Sequence, residues 1–411
     1  MSTRLDYING SIGNNPNDFN LYLERASCYK DEGQNEEAER DIHKALELSP
    51  NNALALNALA DLYWVMDRYD EALEYSNKAI ELDPRNTKIL LVRASIFMEL
   101  KDEEKTFECY DKVIEIGGRD EHAYFMRGMA NSRFGNLKEA LRDYTTSKEL
   151  SSGVGLVHFI HAQTCSQLEM YDEAIDDYNT LIKAFPTDSD YYYSRGDVYY
   201  SQDKLIEALG DVNKAIDLSP VNAAAYSLRS NIMFDNGDIE GAIKELDKAI
   251  QYNKEDYFLL SSYYSRAYYN FKLNDYNEAI SDYSKAIAIA PNYQETYKRR
   301  GILLFEREEY KKAALDFDKA IELKPDDDLY FKHGRCMIEL KRFDEAVNSY
   351  SKAIDLNPGE MDYYLKRALA FMLAQNYYEA LNDTEVVLTS SPNNSAALKL
   401  KSLIIEFTKN S

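Results

Sequence analysis

The sequence predicts an all-α chain, one antiparallel helix pair copied end to end, on three observations. All nine prolines, Pro16, Pro50, Pro84, Pro186, Pro220, Pro291, Pro325, Pro358 and Pro392, fall on one ruler of about 34 residues, a period that marks a repeat array. A small residue recurs at the eighth position of the unit, as Ala26, Ala60, Ala94, Gly128, Ala162, Gly196, Ser230, Ala267, Gly301, Gly334 and Ala368. Alanine recurs at the twentieth, from Ala38 to Ala380, with Thr106 the exception.

The elements follow in order. Residues 1–18 hold a partial repeat: Asp6 to Asn15 resembles the second half of a unit, so the sequence opens in mid-repeat, as a cap or as a truncation. Eleven units then run over residues 19–394, with the frame skipping Tyr257 to Leu259 and losing one residue after Pro325. Their first halves carry large residues at the fourth position, such as Tyr22, Tyr124, Tyr192, Tyr226 and Tyr263. Their second halves carry Tyr110, Tyr144, Tyr178, Tyr283, Phe317 and Tyr350 at the twenty-fourth. Spacings of three, four and seven within each half are helical. Tracts such as Asp235-Asn236-Gly237-Asp238 supply the turn between halves, and proline ends the second helix.

Each repeat is also an independent trial of the same geometry, and the seventh and twenty-third positions vary together. Arg25 goes with Asp41, Arg127 with Asp143, Arg195 with Asp211, Arg229 with Glu245, Arg266 with Asp282, Arg300 with Asp316 and Arg367 with Asp383. Where the arginine is missing the acid can go too, as in Leu59 with Tyr75 and His333 with Ser349; Arg93 with Cys109 and His161 with Asp177 are exceptions. An ion pair between the two helices of most repeats is expected.

Three junctions lack the proline: Gly117-Gly118, Ser151 to Gly155, and Asn253 to Leu259 with its three extra residues. The glycines suit bends, and the insertion a change of pitch near 253–259 that would divide the array; the alternative is three drifted linkers without a mechanical role. In residues 395–411, Leu398, Leu403, Ile404 and Phe407 suit a terminal capping helix. The eleventh repeat places Leu365, Leu369, Met372 and Leu373 where others are often polar, a patch for this tail, a partner or a second copy to cover.

With 71 acidic against 48 basic residues the net charge is −23, which disfavours nucleic acid and anionic membrane surfaces. No apolar run approaches the ~18 to 20 residues of a membrane span. Met1 to Asp18 has no apolar signal region, so a cytoplasmic protein is expected unless a targeting segment was trimmed. Cys28, Cys109, Cys165 and Cys336 lack metal-site spacing, and His43, His122, His158, His161 and His333 read as structural. No phosphate loop or nucleophile elbow is present, so no cofactor, metal or catalytic step is expected.

The unit resembles the tetratricopeptide repeat. One copy shows the pattern in Tyr192, Gly196, Tyr199, Ala208, Ala215 and Pro220, departing where Val212 replaces the second-helix aromatic. The resemblance implies a right-handed superhelical α-solenoid whose first helices line a concave groove through their second, fifth, ninth, twelfth and thirteenth residues. Those positions nominate Trp64, Phe125, Phe159, Tyr193, Asp197, Tyr200, Asn231, Phe234, Tyr264, Tyr268, Phe271, Phe305 and Phe331 as a peptide-binding set. The bland alternative is that these aromatics pack repeats together.

Asp190, Asp197, Asp235, Glu295, Glu306, Asp328 and Glu339 on the same positions point to a basic or mixed-charge guest with apolar anchors. The lysine and asparagine clamp that grips chaperone tails in this family is not assembled: Lys298 comes closest, but Ile302 replaces the asparagine. An asparagine ladder is also missing, Asn57 and Asn231 being isolated. The expected function is a non-catalytic interaction scaffold, an adaptor or co-chaperone-like module. The rivals are a structural subunit or homo-oligomer joined through the C-terminal end, and the substrate-binding region of a larger enzyme.

Overall fold

The computed structural model describes residues 2–118, 120–253 and 256–409, and among these it contains 24 helices and no strand. Two units are distinguished, Met1–Val198 and Tyr199–Ser411. The first begins with α1 (Ser2–Asn14), followed by the hairpins α2/α3 (Phe19–Asp31, Asn35–Leu48), α4/α5 (Ala53–Val65, Tyr69–Leu82), α6/α7 (Thr87–Glu99, Glu103–Gly117), α8/α9 (Glu121–Arg133, Leu137–Leu150) and α10/α11 (Leu156–Gln167, Tyr171–Ala184). Helix α12 (Ser189–Ser201) and α13 (Leu205–Leu218) come next. The second unit continues with α14/α15 (Ala223–Asp235, Ile239–Tyr252), α16/α17 (Asp256–Lys272, Tyr276–Ile289), α18/α19 (Gln294–Glu306, Tyr310–Leu323), α20/α21 (Asp327–Glu339, Phe343–Leu356), α22/α23 (Met361–Leu373, Tyr377–Ser390) and α24 (Ser395–Lys409).

The turn inside every hairpin is the same. Residue fifteen of all eleven units has a left-handed backbone, with φ between 59° and 87°, yet only Gly33, Gly135 and Gly237 are glycines there. The next amide closes the first helix onto the carbonyl five residues back, as Gln34 N–H does to Tyr29 at 2.8 Å and Asp238 N–H to Met233 at 2.9 Å. That bond satisfies a carbonyl the helix end would otherwise leave unpaired. At three of the following junctions an asparagine after the proline caps the next helix: Asn52, Asn222 and Asn394 side chains accept from the amides of Ala55, Ala225 and Ala397 at 2.9 to 3.0 Å.

The core lies between the two helices of each pair. Tyr110, Tyr144, Tyr178, Tyr283 and Tyr350 are fully buried, Tyr144 and Tyr350 directly beneath the small eighth residue of their own repeat. A methyl group on Gly128 would stand 2.6 Å from the Tyr144 ring, and one on Gly334 2.7 Å from Tyr350, which is why glycine occupies those positions. The fourth-position tyrosine ties a repeat to the preceding proline: Tyr22 donates to the carbonyl of Pro16 at 3.0 Å, and Tyr226 to that of Pro220 at 3.2 Å.

At the irregular junctions, α7 runs on to Gly117, and Gly118 adopts φ +71°, while Ser151 to Gly155 form a non-helical connection. The three extra residues fall inside α16, which has 17 residues where α14 has 13. The expected pitch change involves Lys254 and Glu255, which lie outside the described residues. At the C-terminus, Ile404 is fully buried against Met372 and Ala380, with Leu369 and Leu400 beside it. Leu373, Leu398, Leu403 and Phe407 stay exposed. No described helix is long and apolar enough to cross a membrane.

Candidate functional site

Two faces of the repeat carry its polar chemistry. The first lies between helices, where the paired seventh and twenty-third positions meet. Arg25 binds both carboxylate oxygens of Asp41 at 2.7 Å, and Arg127 with Asp143, Arg266 with Asp282, Arg300 with Asp316 and Arg367 with Asp383 repeat the two-pronged geometry at 2.6 to 3.0 Å. Arg229 reaches Glu245 through Nε and Nη2 at 3.0 and 2.6 Å.

The free prong of each arginine reaches a third helix that the pairing left unmentioned. It donates to the twenty-fifth residue of the preceding repeat: Arg25 to Asn9, Arg93 to Asn77, Arg127 to Asp111, Arg195 to Asn179, Arg229 to Asn213, Arg266 to Asp247, Arg300 to Ser284 and Arg367 to Ser351, all at 2.5 to 3.0 Å. The signal was in the sequence, since that column holds a short acceptor side chain in all copies but His43 and Glu385. Lys401 of α24 continues the column by reaching Glu385 at 3.3 Å.

Histidine replaces arginine twice. His161 Nδ1 lies 2.5 Å from Asp177, which Lys148 also contacts at 2.9 Å. Thr145 Oγ1 donates to the Leu141 carbonyl at 2.7 Å and lies 3.0 Å from His161 Nε2. Burial pushes the Asp177 carboxyl upward, but hydrogen bonds from His161 and Lys148 outweigh it and hold it below the usual range. His333 Nδ1 meets Ser349 at 2.8 Å and its Nε2 faces Asp318 at 3.2 Å, with burial lowering the ring's pKa.

The second face is the nominated first-helix surface. In the first unit Trp64 is half-buried in an apolar cluster with Leu59 and Leu62. Phe125 leans on Tyr144 at 5.9 Å, and Phe159 on Tyr178 and Tyr191 at 6.1 and 5.7 Å. Tyr193 is half-buried, with burial pushing its hydroxyl up to about 12, and Asp197 is exposed.

In the second unit Tyr200 donates to Asp235 at 2.6 Å, and Asn231 accepts from Tyr269 at 2.9 Å. Phe234 stacks on Tyr269 at 4.2 Å and also touches Tyr268 at 5.8 Å. Tyr264 packs on Tyr283 at 5.6 Å, and Phe271 on Tyr276 at 6.1 Å. Phe305 meets Tyr310 at 5.2 Å, and Phe331 meets Tyr350 and Tyr363 at 5.8 and 5.0 Å. All the nominated aromatics are half-buried, and most spend one edge on their own or a neighbouring hairpin.

What this face exposes most is charge. Asp235, Glu306, Glu339 and Asp362 are exposed in the second unit against Lys272 and Arg335. Asp328 sits between Lys298, at 2.7 Å, and Lys332; burial raises its carboxyl, and the two lysines outweigh that and lower it. Arg335 lies over the Phe305 ring at 4.4 Å. The nucleophile inventory is muted: burial pushes the Cys109 and Cys165 thiols up to about 11 and Cys336 up to about 12, which keeps them protonated. Among the described residues no group of three His, Cys, Asp or Glu is arranged to hold a metal ion.

No curated protein matches the sequence. Among solved structures the chain is similar to the C-terminal part of a TPR repeat-containing protein from Cytophaga hutchinsonii, at 21% identity over 59% of this chain and 98% of that one, with a TM-score of 0.51. It is also similar to a tetratricopeptide repeat protein from Parabacteroides merdae, at 25% identity over 58% and 94% of the two chains with a TM-score of 0.43. A third is YrrB, described as a TPR protein with an unusual peptide-binding site, at 21% identity over 45% and 95% with a TM-score of 0.41. Tetratricopeptide repeat profiles match residues 18–85, 166–223, 261–293, 295–327 and 328–360, together more than half of the sequence. With eleven copies of the same hairpin behind those matches, the chain belongs to the tetratricopeptide repeat family.

Proposed function

We propose that the protein is a non-catalytic scaffold whose first-helix faces take a peptide or helical segment of a partner protein. The observation that carries this reading is a division of labour inside the repeat. The fourth, seventh, eighth and twentieth positions are near-uniform and, with the more varied twenty-fourth, are spent on packing, whereas the first-helix surface differs from copy to copy and ends in exposed charge. Solenoids of stacked repeats present such extended surfaces to other chains.

The exposed acids Asp235, Glu306, Glu339 and Asp362 favour a basic or mixed-charge guest, and the accessible edges of Phe234, Phe305 and Phe331 supply apolar contact. A cytoplasmic setting belongs to the same reading, because four free, buried thiols suit a reducing compartment.

The test compares the wild-type chain with one carrying Asp235→Lys, Glu306→Lys and Glu339→Lys in cross-linked capture from native lysate. These side chains are exposed, so the fold should persist. Partners lost from the variant, with cross-links mapping to the first helices, support the reading; an unchanged set of partners rules it out.

A further inference from the structure

The twenty-second position of the unit lies on the second helix, and it is polar or glycine in ten of the eleven repeats: Arg40, Glu74, Glu108, Arg142, Asp176, Gly210, Lys244, Ser281, Asn348 and Asn382. The exception is Leu315 on α19, in the ninth repeat, and it is 68% exposed. A lone exposed leucine is ordinary in any protein. This one stands between two clefts.

On one side a cleft of about 650 Å³ lies between α17 and α19, with Leu304 in its lining and Arg307 and Lys312 bordering it. On the other a cleft of about 400 Å³ lies between α19 and α21, lined by Met337 and Leu340 and bordered by Lys311 and Arg342. Leu315 contributes to both. The corresponding furrow in the first unit, between α7 and α9, measures about 250 Å³ and has Arg142 where Leu315 stands.

The charge of this surface runs against that of the chain. Around the two clefts five cations, Arg300, Arg307, Lys311, Lys312 and Arg342, stand against four acids, Glu309, Asp316, Asp318 and Glu345, and Lys311 is exposed beside Leu315. A protein of net charge −23 thus keeps a weakly cationic, apolar-centred surface on its second helices.

We propose that the α17/α19/α21 surface is a second docking site, which takes an acidic segment of a partner protein with apolar side chains seated on either side of Leu315. An acidic amphipathic segment fits because its apolar side chains fill two adjacent clefts and its carboxylates meet the exposed Lys311, with Lys312 and Arg342, each shared with an acid of the surface itself, at the edges. This site uses residues that the first-helix reading does not, so the two stand or fall separately.

The experiment pans a displayed random-peptide library on the full chain and measures the enriched peptides by fluorescence anisotropy. Four proteins are compared: wild type, Leu315→Ser, Lys311→Glu, and the first-helix variant of the preceding section. Leu315→Ser installs the residue type that the preceding repeat carries as Ser281, so melting should be unchanged. The expected result is a class of acidic peptides with apolar anchors that bind Leu315→Ser and Lys311→Glu at least tenfold more weakly and bind the first-helix variant normally. A selection in which no peptide is sensitive to Leu315, or in which the sensitive peptides are basic, overturns the proposal. Peptides lost only with the first-helix variant would uphold the other site alone.

Discussion

Arg266 holds Asp282 through Nε and Nη2 at 2.7 and 2.8 Å, and the carboxylate it holds is fully buried. Removing the arginine alone leaves that carboxylate with Lys285, at 3.1 Å, as its cationic partner. Arg266→Leu should therefore destabilise the second unit by about 3 to 5 kcal/mol, whereas Arg266→Leu with Asp282→Leu should cost much less. The exposed Arg40 and Glu37 pair, at 2.7 Å, should show coupling of only about 0 to 1 kcal/mol. Urea unfolding of the single and double variants measures both, and equal coupling at the two sites would contradict the role given to burial.

His333 makes one repeat sensitive to pH. Its folded pKa is lowered by burial from a reference of 6.5, despite the pull of Asp318 and Glu345 in the other direction. A base with a lowered folded pKa binds fewer protons folded than unfolded. Its stabilising effect is therefore complete above about 6.5 and is lost as pH falls through the folded value. Between pH 7.5 and 5 the wild type should lose more melting temperature than His333→Arg with Ser349→Asp, which rebuilds the pair seen in Arg300 and Asp316. Parallel curves would refute this.

Eight hairpin turns place a non-glycine residue at positive φ, including Lys101 at 59° and Glu308 at 62°. The left-handed region costs an L-residue roughly 1 to 2 kcal/mol, and glycine gives back part of the gain in chain entropy. Glu308→Gly and Lys101→Gly should each stabilise by up to about 1 kcal/mol, and Gly237→Ala, at φ 87°, should destabilise by a similar amount. Differential scanning calorimetry gives the sign directly.

Ile404 is fully buried between Met372 and Ala380, the contact by which α24 covers the last hairpin. Ile404→Ala should cost about 2 to 4 kcal/mol, felt locally. Hydrogen exchange should accelerate in α22, α23 and α24 and remain unchanged in α2 to α5. Uniform acceleration along the whole chain would show that the loss is global.

The repeat was legible because its packing residues announce themselves in every copy: a methyl on Gly128 would collide with Tyr144, and the proline and tyrosine columns share a hydrogen bond. The arginine pairs were legible for the same reason, seven parallel trials of one geometry. Other features were hidden by degeneracy. Gln375 and Glu169 do not look like left-handed residues, because the hairpin imposes that backbone on whatever residue stands there. The aromatic columns showed where Phe159 and Phe331 lie but not how far they are committed to Tyr178, Tyr350 and Tyr363, since a ring at a first-helix position can turn outward or sideways. Leu315 was visible only as one odd letter in its column.

The arginine that reaches backward has a consequence for how such a chain can grow. Most hairpins begin with a donor at the seventh residue and end with an acceptor at the twenty-fifth, so Arg300 needs only a residue such as Ser284 behind it, and Arg367 one such as Ser351. Duplicating or deleting one whole unit leaves the new junction with a donor and an acceptor already facing each other. Leu59 is the exception, a fully buried apolar residue where the donor should be. Behind it, at the twenty-fifth position of the first hairpin, stands His43, so exchanging a repeat at the junction between α2/α3 and α4/α5 would set an arginine against a histidine or leave an acceptor facing Leu59.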